Sequence, residues 1–100
     1  MYEGQYKEGK MHGKGRYAFV DGNIYEGEWE ADLRHGKGKY TYASGHVEIG
    51  CYEANADVGQ AVKWSADRAQ AWEVQDGRPV RSISLDEAAQ IAARIGLPVP

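Results

Sequence analysis

Tyr25-Glu26-Gly27-Glu28-Trp29-Glu30, followed after a short break by Gly36-Lys37-Gly38-Lys39-Tyr40-Thr41-Tyr42, is the stretch on which the fold turns. Both runs alternate. Successive side chains of a strand point to opposite faces. Tyr25, Gly27 and Trp29 therefore share one face, and Gly36, Gly38, Tyr40 and Tyr42 join it from the second run. Glu26, Glu28, Lys37, Lys39 and Thr41 fall on the other. The pattern predicts a hairpin with rings over glycine on one side and opposite charges facing across the strands on the other. Each cross-strand charge pair would add roughly 0.2–1 kcal/mol. Glycine at these positions leaves space for a ring to lie against a neighbouring backbone.

The same string stands 23 residues earlier. Tyr2, Glu3 and Gly4 align with Tyr25, Glu26 and Gly27, and Tyr6 aligns with Trp29. His12-Gly13-Lys14-Gly15 aligns with His35-Gly36-Lys37-Gly38, Tyr17 with Tyr40, Phe19 with Tyr42, and Gly22 with Gly45. A third copy is degraded: Gly50, Tyr52 and Gly59 match Gly27, Trp29 and Gly36, whereas Glu48, Val58 and Ala61 stand where Tyr, His and Gly are expected. A fixed period of this length is the signature of a repeat array. Gly9, Asp32 and Asn55 fall between the two strands of successive copies. All three residue types tolerate a left-handed backbone, so the position reads as a tight turn. Asp21-Gly22 and Ser44-Gly45 mark the connections between copies.

Tyr25-Glu-Gly-Glu-Trp and His35-Gly-Lys-Gly-Lys-Tyr resemble the MORN repeat, as do Tyr2-Glu-Gly-Gln-Tyr and His12-Gly-Lys-Gly-Arg-Tyr. The resemblance covers about residues 1–63, as copies at 1–23 and 24–46 and a degenerate one at 47–63. It implies a single-layer meander of consecutive antiparallel hairpins, an elongated and twisted β ribbon. Proteins with such repeats are often scaffolds, or accessory regions attached to membranes, cytoskeleton or enzymes. An association with acidic phospholipid, or service as the regulatory piece of a larger enzyme such as a lipid kinase or lysine methyltransferase, is also implied. No kinase or methyltransferase signature lies in these residues.

Residues 64–100 read as a cap. On the face that is charged in the second copy, the third carries Ile49, Cys51, Val62 and Trp64. An apolar terminal face needs a cover. Ala71-Trp72-Glu73-Val74 and Val80-Arg81-Ser82-Ile83 flank an Asp76-Gly77 turn, predicting a hairpin over about 71–83, with Pro79 placing the return on an edge. Ser84-Leu85-Asp86-Glu87 reads as a capping box opening a short helix over about 85–95, which Gly96 stops. Leu85, Ala88, Ala89, Ala92 and Ile95 follow helical spacing, with Ile91 beside them. The helix is expected to dock on Ile49, Cys51, Val62 and Trp64, burying its Leu and two Ile side chains.

Composition agrees with this fold class, mainly β with one helix. The chain has 100 residues, 42% hydrophobic and 27% charged, enough for one small domain with a thin core. Gly, at 13, is nearly twice its average usage, and seven of the 11 aromatics are Tyr. A net charge of -3 gives no basic footprint for nucleic acid. No apolar run approaches the roughly 20 residues that span a bilayer, and the N-terminus lacks a signal pattern. A cytoplasmic setting is expected, peripheral to membrane or cytoskeleton.

Catalytic and metal readings are weak. His12 and His35 occupy one repeat position, about 10 Å apart when neighbouring strands lie 4.7–4.9 Å apart, too far to share a metal. Cys51 falls at a cap position and is expected to be buried. Glu26 and Glu28 face Lys37 and Lys39, which describes a solvated charge ladder. Gly13-Lys14-Gly15 lacks the strand–loop–helix setting of a phosphate loop. We expect no catalytic residue, cofactor, metal or small-molecule substrate.

Two surfaces remain. Tyr2, Tyr6, Tyr17, Tyr25, Trp29, Tyr40 and Tyr42 would form a partly open aromatic face, suited to a protein partner because these rings join a large apolar body to a polar handle. The alternative is that the rings pack on one another and stiffen the ribbon. Basic residues recur at Lys7, Lys10, Lys14, Arg16, Arg34, Lys37 and Lys39. Of these, Lys14, Arg16, Lys37 and Lys39 are the candidates for anionic lipid headgroups, although Glu3, Glu8, Glu26, Glu28 and Glu30 are interleaved with them. The sequence also opens directly on the repeat motif, so a bare first strand is expected to be free for self-association, or to be the cut edge of a longer array.

Overall fold

The computed structural model describes residues 1–100. Eight strands and one helix follow in order: β1 (Tyr2–Lys7), β2 (Lys10–Ala18), β3 (Ile24–Glu30), β4 (Leu33–Thr41), β5 (Val47–Glu53), β6 (Ala56–Trp64), β7 (Ala71–Gln75), β8 (Arg78–Ile83) and α1 (Leu85–Ile95). The strands form one open sheet in sequence order, and every neighbouring pair is antiparallel. The ribbon measures 42 × 24 × 21 Å. This is the hairpin meander that the resemblance implies, with the terminal hairpin and helix that the Asp76-Gly77 turn and the Ser84 cap predict.

Left-handed turns make the hairpins. Glu8-Gly9, Ala31-Asp32, Ala54-Asn55 and Asp76-Gly77 each place two consecutive residues at positive φ. Such turns match the right-handed twist of the flanking strands. In the last three turns an Asp or Asn of the pair also clamps the neighbouring hairpin. Asp32 Oδ1 accepts from Met11 N–H at 2.7 Å, Asn55 Oδ1 from Arg34 N–H at 2.8 Å, and Asp76 Oδ1 from Gly59 N–H at 2.7 Å. The N–H groups of the same three residues donate to Met11 O, Arg34 O and Gly59 O. Gly22, Gly45 and Arg68 hold positive φ between hairpins, again 23 residues apart. Arg68 supports its left-handed backbone by donating from Nη1 to Gly45 O, Ser65 O and Ala66 O. The third hairpin is therefore structurally complete through Trp64 and its following turn, past the point where the sequence motif fades.

Each leading Tyr lies over glycine. Tyr25 is opposite Tyr40, and Gly27 opposite Gly38. A Cβ on Gly27 would meet Tyr25 Oη at 2.6 Å, and one on Gly38 would run into the same ring. Tyr25 Oη donates to Glu28 O at 3.1 Å, as Tyr2 Oη does to Gln5 O at 2.8 Å. Trp29 Nε1 donates to Gly15 O at 3.1 Å, tying the second copy to the first.

The charge ladder is only partly as expected. Lys39 and Glu26 approach to 3.9 Å, and Arg16 and Glu3 to 3.8 Å. Glu28 does not pair with the Lys37 ammonium. A bulge opens between Gly27 and Trp29, and Glu28 Oε1 fills it by accepting from the Lys37 backbone N–H at 2.8 Å. Gln5 does the same for Lys14 N–H. Gly36 adopts φ +89 in this bulge, and a Cβ there would collide with the Glu28 carboxylate.

The cap packs on the face opposite the rings. Val47, Ile49, Val62, Trp64 and Ala71 from the sheet meet Ala88, Ile91 and Ala92 from α1 in one buried cluster. Four expectations for the cap need correction. Cys51 is only half-buried and stands outside this cluster, since the helix covers the Val47 end of β5. Leu85 is 47% exposed, because it opens the helix beyond the edge of the contact. Ile95 only packs against the cluster from its margin. Ser84 Oγ accepts from Glu87 N–H at 3.1 Å, but the Glu87 carboxylate turns to the Arg81 guanidinium rather than back to Ser84, leaving half a capping box. Arg81 also donates to Glu73 Oε1 at 2.6 Å, linking β7, β8 and α1. Gly96 closes the helix at φ +98, its N–H donating to Ala92 O.

Candidate functional site

One row of the sheet carries the site. Across the ladders, Tyr2 faces Tyr17, which faces Tyr25; then come Tyr40, Glu48, Lys63 and Trp72. Residues directly opposite one another across a ladder point to the same side, so all of these share one face. The rings interlock edge to face: Tyr25 with Trp29 at 5.1 Å, Tyr25 with Tyr52 at 5.3 Å, and Tyr2 with Trp29 at 5.6 Å between centroids. Tyr17 leans on Phe19, Phe19 stacks on Tyr40, and Tyr40 meets Tyr42.

The expected aromatic face divides in two. Tyr25, Trp29 and Tyr52 are buried in it as a small core. Burial pushes the Tyr25 and Tyr52 hydroxyls far above the ordinary tyrosine range. These rings stiffen the ribbon, and only an edge of Trp29 reaches the open surface. Tyr2, Tyr17, Phe19, Tyr40 and Met11 pack against that core while keeping part of their surface open. Tyr42 is also half-buried and Tyr6 is 60% exposed. Tyr42 is pushed up to about 12, by desolvation first and by the charges of Glu48 and Asp57 second.

A groove of about 290 Å³ runs between the open rings, lined by Met11, Tyr17, Phe19, Trp29 and Tyr40 with Asp32, Arg34 and Asn55. Arg34 stands in the middle of it. Its guanidinium lies 4.8 Å from the Tyr52 ring centroid, 5.4 Å from Tyr40 and 5.8 Å from Tyr25. Nε donates to Asn55 Oδ1 at 3.3 Å and Nη2 to Asn55 O at 3.1 Å. A cation over tyrosine faces is attracted by their quadrupoles. Grouping Arg34 by charge with the lysines missed this placement. Alternation counted back from Tyr40 through Gly38 and Gly36 reaches it.

Beyond Arg34 the face turns polar. Glu48, at the position of a leading Tyr, is buried, and desolvation first, then Asp57, raises its pKa above the usual carboxylate range. Lys63 faces it across the ladder and holds its ammonium over the Tyr42 ring at 4.8 Å. His46 stacks on Trp72 at 6.3 Å.

Lys14, Arg16 and Lys37 do gather on the other face, but Glu3, Glu26 and Glu28 line the same depression. Lys39 lies beside Glu26. No three His, Cys, Asp or Glu side chains come together in a metal-binding arrangement. His35 lies 3.4 Å from Glu30 across the turn region.

The family model for the MORN repeat matches residues 2–24 and 25–47. Residues 2–47 are MORN repeats. No curated protein matches the chain. MORN repeats are generally protein- and membrane-interaction modules and are typically non-catalytic. The two MORN matches coincide with the first two Tyr-over-Gly hairpins. The third MORN-like hairpin keeps the geometry while losing the leading Tyr to Glu48.

Proposed function

We propose that the chain is a non-catalytic protein-interaction module whose working surface is the open part of the aromatic face, centred on the groove around Arg34. The observation that carries this reading is the division of the rings. Tyr25, Trp29 and Tyr52 already form a closed core, so the ribbon does not need Tyr17, Phe19 and Tyr40 to be left half-open for its own stability. Half-open Tyr and Phe around a single Arg is the composition enriched at the centre of protein interfaces. The outer edge of β1, which pairs only with β2, offers unpaired backbone groups as a second contact or a route to self-association.

Membrane association through Lys14, Arg16, Lys37 and Lys39 is the weaker reading. Each anionic-surface contact is worth about 1 kcal/mol per basic residue, and the interleaved Glu3, Glu26 and Glu28 offset it. The test compares two variants in proximity labelling and liposome co-sedimentation. Tyr40→Ser combined with Phe19→Ser is expected to lose the protein contacts of the parent. Neutralising Lys14, Arg16 and Lys37 is expected to leave them. The reverse result, with binding to vesicles containing anionic lipid that salt abolishes, would favour the membrane.

A further inference from the structure

We propose that the groove, together with the strip of the same face that continues past it to Asp57, takes an extended partner peptide in the polyproline II conformation, bearing an apolar side chain, a carboxylate three residues on and a cation three residues further. The inference rests on the interaction reading above and adds the chemistry of the occupant.

The first ground is the side chain at one repeat position. Met11, Arg34 and Asp57 are equivalent, 23 residues apart, and each lies opposite the ring of its own hairpin: Tyr6, Trp29 and Tyr52. The backbone here is nearly invariant, yet the position passes from apolar to cationic to anionic along the ribbon. Met11 sits among Tyr17 and Phe19. Asp57 is exposed just beyond the lining of the groove, and it alone supplies the anionic position, since the buried Glu48 is already faced by Lys63. The three positions therefore present three different ligand chemistries on one line.

The second ground is the state of Arg34. A guanidinium has five N–H donors. Asn55 takes one from Nε and one from Nη2. Both N–H groups of Nη1 and the second of Nη2 have no protein partner, and no carboxylate of the chain pairs with it. The one acidic group lining the groove, Asp32, is turned to the Met11 N–H. Parallel N–H groups on Nη1 and Nη2 form a fork that fits a carboxylate bidentately. The rings beneath fix the fork in place, so a ligand does not have to order it.

The third ground is pitch. Equivalent positions lie two strands apart, about 9.4–9.8 Å at ordinary strand spacing. A polyproline II helix rises about 9.3 Å per three-residue turn and returns every third side chain to the same side. One turn of peptide thus spans one hairpin. Aromatic-lined grooves also suit proline rings, and this conformation is already ordered before binding. A bilayer surface does not follow a line of three alternating chemistries, so a peptide is favoured over a membrane.

The test uses seven-residue synthetic peptides with Leu, Glu and Lys separated by pairs of Pro, in both chain directions. Binding is read by titration against isotope-labelled full chain. One direction is expected to shift the Met11, Arg34 and Asp57 amides and to bind at least tenfold more tightly than its Glu-to-Gln counterpart. Arg34→Gln is expected to abolish that tenfold difference, with Arg34→Lys intermediate because it keeps charge and loses the fork. Thermal unfolding of both variants confirms that they are folded. If the Gln peptide binds equally and still shifts the groove, the charge inference is overturned and the interaction surface stands. A peptide with the charged residue moved to the second position and equal affinity overturns the pitch. If no peptide shifts the groove at millimolar concentration, the inference fails, and if the paired Tyr40 and Phe19 variant also keeps all its contacts, so does the interaction reading. Binding of phosphatidylserine vesicles that depends on Arg34 would overturn the peptide in favour of lipid.

Discussion

Asn55 holds Arg34 at both ends: its Oδ1 accepts from the Arg34 backbone N–H at 2.8 Å, while its backbone carbonyl accepts from the Arg34 guanidinium at 3.1 Å. The turn of one hairpin thus positions the central side chain of the hairpin before it. Because Asn55 also sits at φ +74, two substitutions separate its roles. Asn55→Gly keeps the backbone and loses the side-chain acceptor, and should cost about 1 kcal/mol. Asn55→Ala adds left-handed strain and should cost about 2–3 kcal/mol. Urea denaturation with an unchanged midpoint for Asn55→Gly would show that the clamp is dispensable.

Gly27 and Gly59 make opposite demands. A Cβ at Gly27 has ordinary backbone but meets Gly38 Cα at 2.5 Å and Tyr25 Oη at 2.6 Å, so Gly27→Ala must push the β4 backbone away as well as displace the buried ring and should cost about 1–3 kcal/mol or more. Gly59 has open space around it but sits at φ +70, so Gly59→Ala should cost about 1–2 kcal/mol through backbone strain alone. Near-ultraviolet circular dichroism separates them: the tyrosine signal should change for Gly27→Ala and persist for Gly59→Ala.

Ile91 is fully buried between α1 and the sheet. Ile91→Asp places an unpaired carboxylate there and should cost about 3 kcal/mol or more. The expected result is loss of helical signal with retained Trp29 fluorescence, since Trp29 belongs to the separate aromatic cluster. An unchanged melting temperature would mean the helix does not hold this end together.

Glu48 should leave a pH signature. Its pKa in the folded chain is raised above the ordinary 4.5, with desolvation the largest cause. A raised carboxyl pKa means the folded state binds the proton more tightly than the unfolded one. This contribution is fully present below pH 4.5 and is lost as pH rises through the folded-state value. Glu48→Gln removes the dependence. The variant should therefore gain stability over the parent as pH goes from 4 to 7, in chemical denaturation at each pH. A gap that narrows over that range would contradict the sign. Glu73 and Asp67 shift the other way, held low by hydrogen bonds first, so only the difference between variant and parent is diagnostic.

Much of this architecture is legible in the sequence because it is periodic. Alternation places Tyr25 and Trp29 on one face, and the residue types at 9, 32 and 55 announce their left-handed turns. What alternation does not carry is the link between hairpins. The bonds from Asp32 to Met11 and from Asn55 to Arg34 join positions 21 residues apart, and no local propensity encodes them. The bulge is equally hidden, so Glu28 reads as a partner for the Lys37 side chain when it serves the Lys37 backbone. At the site, the rings are visible as a set, but their division into buried Tyr25 and open Tyr40 depends on which neighbours cover them. Arg34 shows the cost of sorting by charge before position.

The strand order has a consequence for how such a chain can change. Since each strand hydrogen-bonds only with the strands before and after it, splicing another 23-residue unit in at Ser44-Gly45 would extend the ribbon by about 9–10 Å and leave the buried cluster of the lid on β5, β6 and β7. The newcomer would contribute one more letter to the line begun by Met11, Arg34 and Asp57. Lineages could therefore rewrite what the surface spells by duplication and a single codon change, without ever redesigning the scaffold beneath it.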